Sequence, residues 1–219
     1  MRLAVFDVDG TLVDSRQSIH SSSDAAFRHL GRTPPPYDEV RQIVGLSLFE
    51  GLARLAPDMT QDEVRALTEF YKVHFSVLHQ DPNHKDPLYG GAADLLDYLK
   101  ARDWKIAMAT GQSRRGVERS LRVHAWADIF DTTHCADDGP GKPHPSMLLE
   151  AMRTIGASPT ESLMIGDTAH DILMAKAAGV TAVAVTWGFH TRQEIADAGA
   201  DVICDSFAEL QAVLDAFNP

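Results

Sequence analysis

The sequence is poor in cysteine and has no long apolar run. Its two cysteines, Cys135 and Cys204, are too few for a disulfide framework in 219 residues. No apolar run approaches the roughly 20 residues that a membrane-spanning helix needs. The first apolar run begins at Leu3, which leaves no length before it for a secretory signal peptide. Together these absences predict a protein of the reduced cytoplasm that does not bind membranes.

Basic residues are also fewer than acidic residues. The chain has 20 lysines and arginines against 31 aspartates and glutamates, which gives a formal net charge of −11 at pH 7. This surplus of negative charge argues against nucleic acid or an anionic membrane as a partner. Local cations, rather than the field of the whole protein, must therefore attract any anionic substrate. Hydrophobic residues make up 44% of the chain, enough for a complete globular core.

Short apolar runs alternate with amphipathic stretches over much of the chain. The runs are bounded by Gly, Asp or Pro and are typical of buried parallel strands. They lie at 3–6, 106–109, 163–165 and 182–185, with weaker ones at 129–131 and 202–204. Helical patterns occupy 92–101, 116–123, 146–154 and 170–178. The alternation predicts an α/β fold built on a Rossmann-like, doubly wound parallel sheet.

One long interval breaks this alternation. Between the first two strands the sequence has no strand pattern, and it has helical patterns at 18–30, 37–44, 47–55 and 61–80. A block of this length is too long for a loop inside a domain. We therefore expect an inserted all-helical cap domain at residues 15–87, over a core made of 1–14 and 88–219.

Polar clusters lie where the predicted strands end. They comprise Asp7, Asp9 and Gly10 after the first run, Thr110 and Gly111 after the second, Lys142 between Gly141 and Pro143, and Asp167 with Asp171 after the run at 163–165. Each cluster alone is ordinary turn chemistry, and Asp167 also suits a helix N-cap. Because open parallel sheets bind ligands at the edge where their strands end, the set predicts one common site.

The acidic residues at this edge indicate a metal. Asp7 and Asp9 are two residues apart, and Gly10 lets the chain turn so that both acids face one cavity. Like charges held this close are costly unless a cation or a shared proton relieves them. Oxygen ligands favour a divalent ion such as Mg²⁺. Asp167 and Asp171 would share one helix face if a helix began at Thr168.

The order Asp-x-Asp-Gly-Thr, Thr-Gly, Lys-Pro and Gly-Asp-x-x-x-Asp resembles the haloacid dehalogenase (HAD) superfamily of phosphohydrolases. Segments 6–15 and 141–145 resemble its phosphoglycolate phosphatase-like branch. The resemblance covers nearly the whole chain, but only loosely between 15 and 87. It implies a phosphatase for a small phosphorylated metabolite, with a helical cap that opens and closes over the substrate. Gly111-Gln112-Ser113 departs from the Thr-Asn of many phosphoglycolate phosphatases, so a sugar phosphate is an equally open substrate.

The resemblance also implies residue roles in catalysis and metal binding. Asp7 is the expected nucleophile, which forms an aspartyl-phosphate, and Asp9 the expected general acid and base. Mg²⁺ is expected on the Asp7 carboxylate, the Asp9 backbone carbonyl and the Asp167 carboxylate. Asp171 is expected to orient Asp167 or a metal-bound water.

Phosphate and substrate contacts are implied in the same way. The phosphate oxygens are expected on Thr110, the Gly111 amide and Lys142. In the cap, Arg41 and the Gly45-Leu46-Ser47 turn match positions where relatives place substrate-facing residues, although a surface arginine and a helix N-cap explain them equally well.

Three rival functions fit part of the pattern. A 2-haloacid dehalogenase needs no metal and generally lacks the second acid, so Asp9 and Asp167 argue against it. A phosphomutase resembling beta-phosphoglucomutase would carry a histidine at position 19, whereas the chain has Ile19 followed by His20; one residue is about 100° round a helix. A receiver-type phosphoacceptor, which is not an enzyme, would keep its acceptor aspartate on a later strand and would leave the helical block unexplained.

Overall fold

A computed structural model of the protein describes residues 1–81 and 84–219. Its centre is a parallel sheet with the strand order β3-β2-β1-β4-β5-β6. The strands are β1 (Leu3–Phe6), β2 (Lys105–Thr110), β3 (Thr132–Cys135), β4 (Ser162–Gly166), β5 (Thr181–Val185) and β6 (Val202–Cys204). The order reverses between β1 and β4, which places the ligand-binding crevice of such a sheet at their carboxyl ends. The predicted α/β, doubly wound fold is confirmed.

Helices cover both faces of this sheet. The α-helices are α1 (Arg16–His29), α2 (Tyr37–Val40), α3 (Leu48–Leu55), α4 (Gln61–Leu78), α5 (Ala92–Lys100), α6 (Arg114–Val123), α7 (Ser146–Ile155), α8 (Ala169–Ala178), α9 (Arg192–Asp197) and α10 (Phe207–Ala216). Side chains of β1 alternate between the two faces, as strand geometry requires. Ala4 and Phe6 pack with α5, α6 and α10, whereas Leu3 and Val5 pack with α7, α8 and α9.

The predicted strand at 129–131 is wrong, because the chain forms β3 at Thr132–Cys135 instead. β3 is an edge strand and its first three residues are only partly buried, so it has no apolar run to mark it. Asp131 precedes it as a connector: its carboxylate accepts from the Ile106 amide at 2.9 Å and from Lys105 Nζ at 3.0 Å. Helices α9 and α10 had no counterpart in the predicted pattern.

The part of the chain between β1 and α5 contains helices α1 to α4, and these pack on one another around a small core of their own. That core consists of Ala26, Phe27, Leu52, Ala56, Val64, Leu67 and Tyr71. The two chain segments that lead into and out of these helices lie side by side. Val13 and Leu88 form an antiparallel bridge, and the Asp14 amide donates to the Pro87 carbonyl at 2.8 Å. A helical unit that is connected to the rest of the protein by two adjacent chain segments is suited to hinge motion.

No helix among the described residues is long and apolar enough to cross a membrane. Both cysteines are buried and free.

Candidate active site

Asp7 lies directly beyond β1, between the ends of β2 and β4. Its amide extends the sheet ladder by donating to the Ile165 carbonyl at 2.9 Å, and its side chain is 1% exposed. Neither carboxylate oxygen accepts a hydrogen bond of good geometry from a described residue. An ion pair with Lys142, whose Nζ lies 2.8 Å from Oδ1, is its one short polar contact in the described chain. Asp7 is thus a buried carboxylate with free acceptor capacity.

Lys142 is the cation of a buried acidic cluster. It is fully buried, and its Nζ also lies 2.6 Å from Asp171 Oδ1. Burial alone would lower the pKa of Lys142, but the charges of Asp171 and Asp7 outweigh that effect and raise it. Burial raises the pKa of Asp7 well above its usual range; Lys142 opposes this, and Asp171 and Asp167 add to it. The loop after β3 therefore supplies an ammonium whose charge two buried acids stabilise.

Asp167, at the end of β4, is held by two hydrogen bonds. Thr11 Oγ1 donates to its Oδ1 at 2.7 Å and the Phe189 amide donates to its Oδ2 at 2.8 Å. Burial, with the nearby charge of Asp171, raises the pKa of Asp167 to about 7. Gly10 and Gly188 make room for it, since a Cβ on either glycine would lie 2.2–2.3 Å from Asp167 Oδ2.

Asp171 is tied to the start of α8 and to Lys142. Asp167 does not take the alternative role of a helix N-cap, because Thr168 is the N-cap and α8 begins at Ala169. Thr168 and Asp171 form a capping box: the Thr168 amide donates to Asp171 Oδ2 at 3.0 Å, and the Thr168 hydroxyl donates to the same oxygen at 2.7 Å. Asp171 therefore orients Lys142 directly, whereas Asp167 is oriented by Thr11 and Phe189.

Asp9 is held by a side chain of the loop that follows β2. Gln112 Nε2 donates to Asp9 Oδ2 at 2.7 Å, and Ser120 of α6 donates to Gln112 Oε1 at 3.1 Å. Burial raises the pKa of Asp9, and the hydrogen bond from Gln112 partly offsets that rise. A carboxyl group with a raised pKa is suited to donate a proton near neutral pH.

Thr110 ends β2 and Gly111 follows it, and the insertion lies against Gly111. Thr110 is buried, and its hydroxyl accepts from the Gln112 amide at 3.3 Å. A Cβ on Gly111 would lie 2.5 Å from the Leu46 carbonyl oxygen and 2.7 Å from that of Gly45. Gly45 itself has φ +94°, a left-handed conformation that favours glycine. The turn at Gly45 is thus packed on the predicted phosphate loop.

Arg41 lies at the same junction and contacts one acid of the core, Glu194, and one acid of the insertion, Asp38. Its Nη1 donates to Glu194 Oε2 at 2.8 Å and to the Phe189 carbonyl at 3.3 Å, and its Nε donates to Asp38 at 3.2 Å. The structure therefore places Arg41 in an ion pair between the insertion and α9.

His20, considered for the phosphomutase alternative, contacts Asp24 at 3.7 Å and the Tyr37 ring. Both partners belong to the insertion, in α1 and α2, and neither belongs to the acidic cluster around Asp7.

The acidic cluster has the donor set of a divalent cation site. Carboxylate oxygens of Asp7, Asp167 and Asp171 all lie within 4.8 Å of one another. The Asp9 carbonyl oxygen accepts no backbone hydrogen bond from a described residue. Three buried carboxylates and one ammonium leave net negative charge, which a hard cation with oxygen ligands would neutralise.

Several residues of this site had not been predicted. Thr11, Gln112, Phe189 and Gly188 hold or make room for the acids. Gly188 and Phe189 follow β5 at the carboxyl edge of the sheet, so the strand-end rule could have found that loop. The contribution of Phe189 is a backbone amide, which no side-chain pattern reveals.

Comparisons with known proteins agree with this geometry. A family model described as haloacid dehalogenase-like hydrolase matches residues 4–185. Probable phosphatase IndB of Dickeya dadantii is 36% identical over 95% of this chain and 91% of its own. Phosphoglycolate phosphatase 1 of Pseudomonas aeruginosa is 31% identical over 98% of this chain and 80% of its own. A crystal structure of a hydrolase from Pseudomonas syringae superposes over 100% of both chains with a TM-score of 0.88 at 26% identity. The chain therefore belongs to the haloacid dehalogenase-like hydrolases.

Proposed function

We propose that this hydrolase is a Mg²⁺-dependent phosphatase that cleaves a small phosphomonoester through an aspartyl-phosphate on Asp7. The observation that carries the proposal is the Asp7 carboxylate, which is buried and free of hydrogen bonds yet held 2.8 Å from Lys142. A nucleophile needs an unblocked lone pair and a nearby positive charge when it attacks an anionic phosphate. We further place the reaction in the cytoplasm, where the two free thiols would stay reduced.

The chemistry proceeds in two displacements at phosphorus. In the first, an Asp7 oxygen forms a bond to phosphorus, the bond to the leaving oxygen breaks, and Asp9 gives that oxygen its proton. In the second, Asp9 takes a proton from water, whose oxygen displaces Asp7 and releases inorganic phosphate. The raised pKa of Asp9 keeps its proton available for the first step.

The remaining residues place positive charge and hydrogen-bonding groups around the phosphate. Lys142 offsets the repulsion between the Asp7 carboxylate and the phosphate, and Thr110 with the Gly111 amide holds phosphate oxygens. Mg²⁺, when bound by Asp7, the Asp9 carbonyl and Asp167, would supply the positive charge that neutralises these acids and the phosphate.

Chelation should separate this mechanism from dehalogenation on the same scaffold. With excess EDTA, phosphate release from 2-phosphoglycolate and from a panel of sugar phosphates should fall to background, because the acidic cluster regains its net negative charge. Added Mg²⁺ should restore it. Colorimetric phosphate release measures both results, and chloride release from 2-chloropropionate serves as the control reaction. Full phosphatase activity in EDTA, or metal-independent chloride release, would contradict the proposal.

We also propose that residues 15–87 act as a cap that closes over the site. Support comes from the separate core of α1 to α4, the adjacent chain crossings at Val13 and Leu88, and the packing of the Gly45 turn on Gly111. Closure of such a lid would exclude water from the aspartyl-phosphate until hydrolysis. A closed cap would also restrict the site to small substrates.

Gly111→Ala tests this closure. The new methyl group would meet the Gly45 and Leu46 carbonyl oxygens at 2.5–2.7 Å, so closure should be penalised while the amide that faces the phosphate remains. We expect kcat/KM to fall by about 10-fold or more, equivalent to ~1.4 kcal/mol, with an unchanged melting temperature. Gly90→Ala is the matched control, since its Cβ would meet nothing within 4 Å. Equal activity of the two variants would remove the support for closure at this contact.

A further inference from the structure

A second group of potential metal ligands lies apart from the acidic cluster, where the helical insertion returns to the core. It consists of His79, His84 and Asp86, whose ligand atoms all lie within 4.8 Å of one another. His79 is the C-cap of α4, and His84 and Asp86 belong to the stretch of chain that leads from α4 to Leu88. The three side chains are only 10–17% exposed. The ligands are thus brought together and largely shielded from water.

The two ring nitrogens of His79 both face oxygen acceptors. Nδ1 lies 2.8 Å from the Phe75 carbonyl oxygen, one helical turn back, and Nε2 lies 2.9 Å from Asp86 Oδ2. A neutral imidazole carries a single N–H, so one of the two oxygens would face a nitrogen lone pair. That arrangement is stable only when a second proton or a metal ion lies between the nitrogen and the oxygen.

The contact at Nδ1 is typical of metal-binding histidines. In such sites the ring nitrogen that is not bound to the metal donates to a carbonyl or a carboxylate, which fixes the tautomer and the ring orientation. The Phe75 carbonyl fills this role for His79 and leaves Nε2 toward Asp86. The Phe75 ring, whose centroid lies 4.3 Å from that of His79, restricts the imidazole further.

Asp86 is held in place by the first helix of the insertion. Ser18 of α1 is fully buried, and its hydroxyl donates to Asp86 Oδ1 at 2.5 Å. Carboxylates that bind a metal are commonly hydrogen-bonded in this way. The Ser18 hydroxyl oxygen also lies 2.7 Å from His84 Nε2, which lies 3.8 Å from Asp86 Oδ1. One imidazole nitrogen therefore lies near each oxygen of the same carboxylate.

The separations between these atoms suit a four-coordinate ion. Zn²⁺ binds imidazole nitrogen and carboxylate oxygen at about 2.0–2.2 Å in tetrahedral geometry, which puts the ligand atoms about 3.4 Å apart. The His79–Asp86 and His84–Asp86 distances of 2.9 Å and 3.8 Å lie on either side of that value. Imidazole ligands suit Zn²⁺, whereas Mg²⁺ takes oxygen ligands. A proton on His79 would satisfy only its pair with Asp86, whereas a metal ion uses all three side chains.

We propose that His79, His84 and Asp86 bind one transition-metal ion, with Zn²⁺ as the expected species, at a site separate from the acidic cluster around Asp7. The ion connects the end of α4 to the chain that returns to the core, and Ser18 ties α1 to the same carboxylate. Its role is to fix the base of the insertion, not to take part in phosphoryl transfer. The proposal does not depend on the phosphatase function, because none of these ligands belongs to the acidic cluster.

Titration with Co²⁺, a spectroscopic stand-in for Zn²⁺, tests the site. Four-coordinate Co²⁺ absorbs visible light strongly, whereas six-coordinate Co²⁺ absorbs weakly. The intact, untagged protein is freed of metal, kept in excess Mg²⁺, and titrated first with Co²⁺ and then with Zn²⁺. We expect one strongly absorbing Co²⁺ per chain, which Zn²⁺ displaces and Mg²⁺ does not. Zn²⁺ at about 100 times its Kd should also raise the melting temperature by about 5 °C or more.

His79→Gln and His84→Gln each remove one ligand. We expect either change to weaken Co²⁺ binding by about 100-fold or more, the upper end of what loss of an outer-shell partner costs. His74→Gln is the matched control: His74 is a partly buried histidine of the same helix, and it contacts Ser22 at 3.2 Å instead of the proposed site. It should bind Co²⁺ as the native protein does.

Asp167→Asn determines whether the ion enters the acidic cluster instead, and the strong Co²⁺ absorption should survive this change. The proposal is overturned if the native protein gives no strong absorption, if the absorption disappears with Asp167, or if it persists after loss of either His79 or His84. Should His79→Gln fail to fold, His84→Gln decides, because His84 lies outside the helices and strands. None of these outcomes bears on the phosphatase proposal, which is tested by phosphate release.

Discussion

Replacing Asp7 by asparagine is expected to reduce phosphate release by on the order of 10⁴-fold or more, since the amide has no anionic oxygen to attack phosphorus. The variant should still fold. Lys142 keeps Asp171 at 2.6 Å, and the substitution removes a charge that Asp171 and Asp167 repel. The melting temperature of the metal-free protein should therefore not fall, which assigns the loss to chemistry.

Asp9→Asn is the informative comparison for this result. It leaves Asp7 able to attack but removes the group that protonates the leaving oxygen and activates water. Intact-mass spectrometry of the quenched variant should detect an added phosphoryl group, and peptide mapping should place it on Asp7. Phosphate on another residue, or an Asp7→Asn variant with more than a few per cent of native activity, would contradict the nucleophile assignment.

The acids of the site could be predicted because the ends of the buried strands can be recognised in the sequence. Asp7, Asp9 and Asp167 each follow an apolar run, and parallel strands bring their carboxyl ends to one edge. Lys142 was recognisable only from its Gly and Pro neighbours; its complete burial depends on loop packing that no local pattern encodes.

The contact of Arg119 with Phe75 could not be predicted from the sequence. α6 has arginines at 114, 115, 119 and 122, and their spacing on an amphipathic helix does not distinguish them. Only packing against Phe75, from the distant helix α4, separates Arg119 from its neighbours. The same limit applies to β3, whose polar residues suit an edge strand but lack any apolar run. Long-range contacts, rather than local propensity, decide both cases.

The second large effect is expected from Lys142→Met, which removes the ammonium from the acidic cluster at little change in side-chain length. Asp7, Asp167 and Asp171 would then share a buried space with no cation. Breaking a buried ion pair in this way typically costs about 3–5 kcal/mol, or a fall of roughly 10 °C in melting temperature. Turnover should also fall by about 10²-fold or more, because the repulsion between Asp7 and phosphate is no longer offset.

The pH dependence of the melting temperature of Lys142→Met distinguishes the loss of a charge from the loss of packing. Burial already raises the pKa of Asp7 and raises that of Asp167 to about 7, whereas carboxyl groups of an unfolded chain titrate near 4. A raised native pKa means that the folded state binds more protons, so stability is lost as pH rises from about 4 through about 7. Without the ammonium this loss should be steeper. The deficit in melting temperature should therefore be greatest above about pH 7 and shrink toward pH 5.

A matched lysine provides the control. Lys176 pairs with Asp201 at 2.6 Å, the same distance as Lys142 to Asp171, but it is 45% exposed. Lys176→Met should change stability by less than about 1 kcal/mol at any pH, as exposed pairs do. Calorimetric melting of both variants between pH 5 and about pH 8, without metal, measures the contrast. A Lys142 variant as stable as the Lys176 control above about pH 7 would mean that the buried acids are already protonated, and Asp7 would then need Mg²⁺ rather than Lys142 to become a nucleophile.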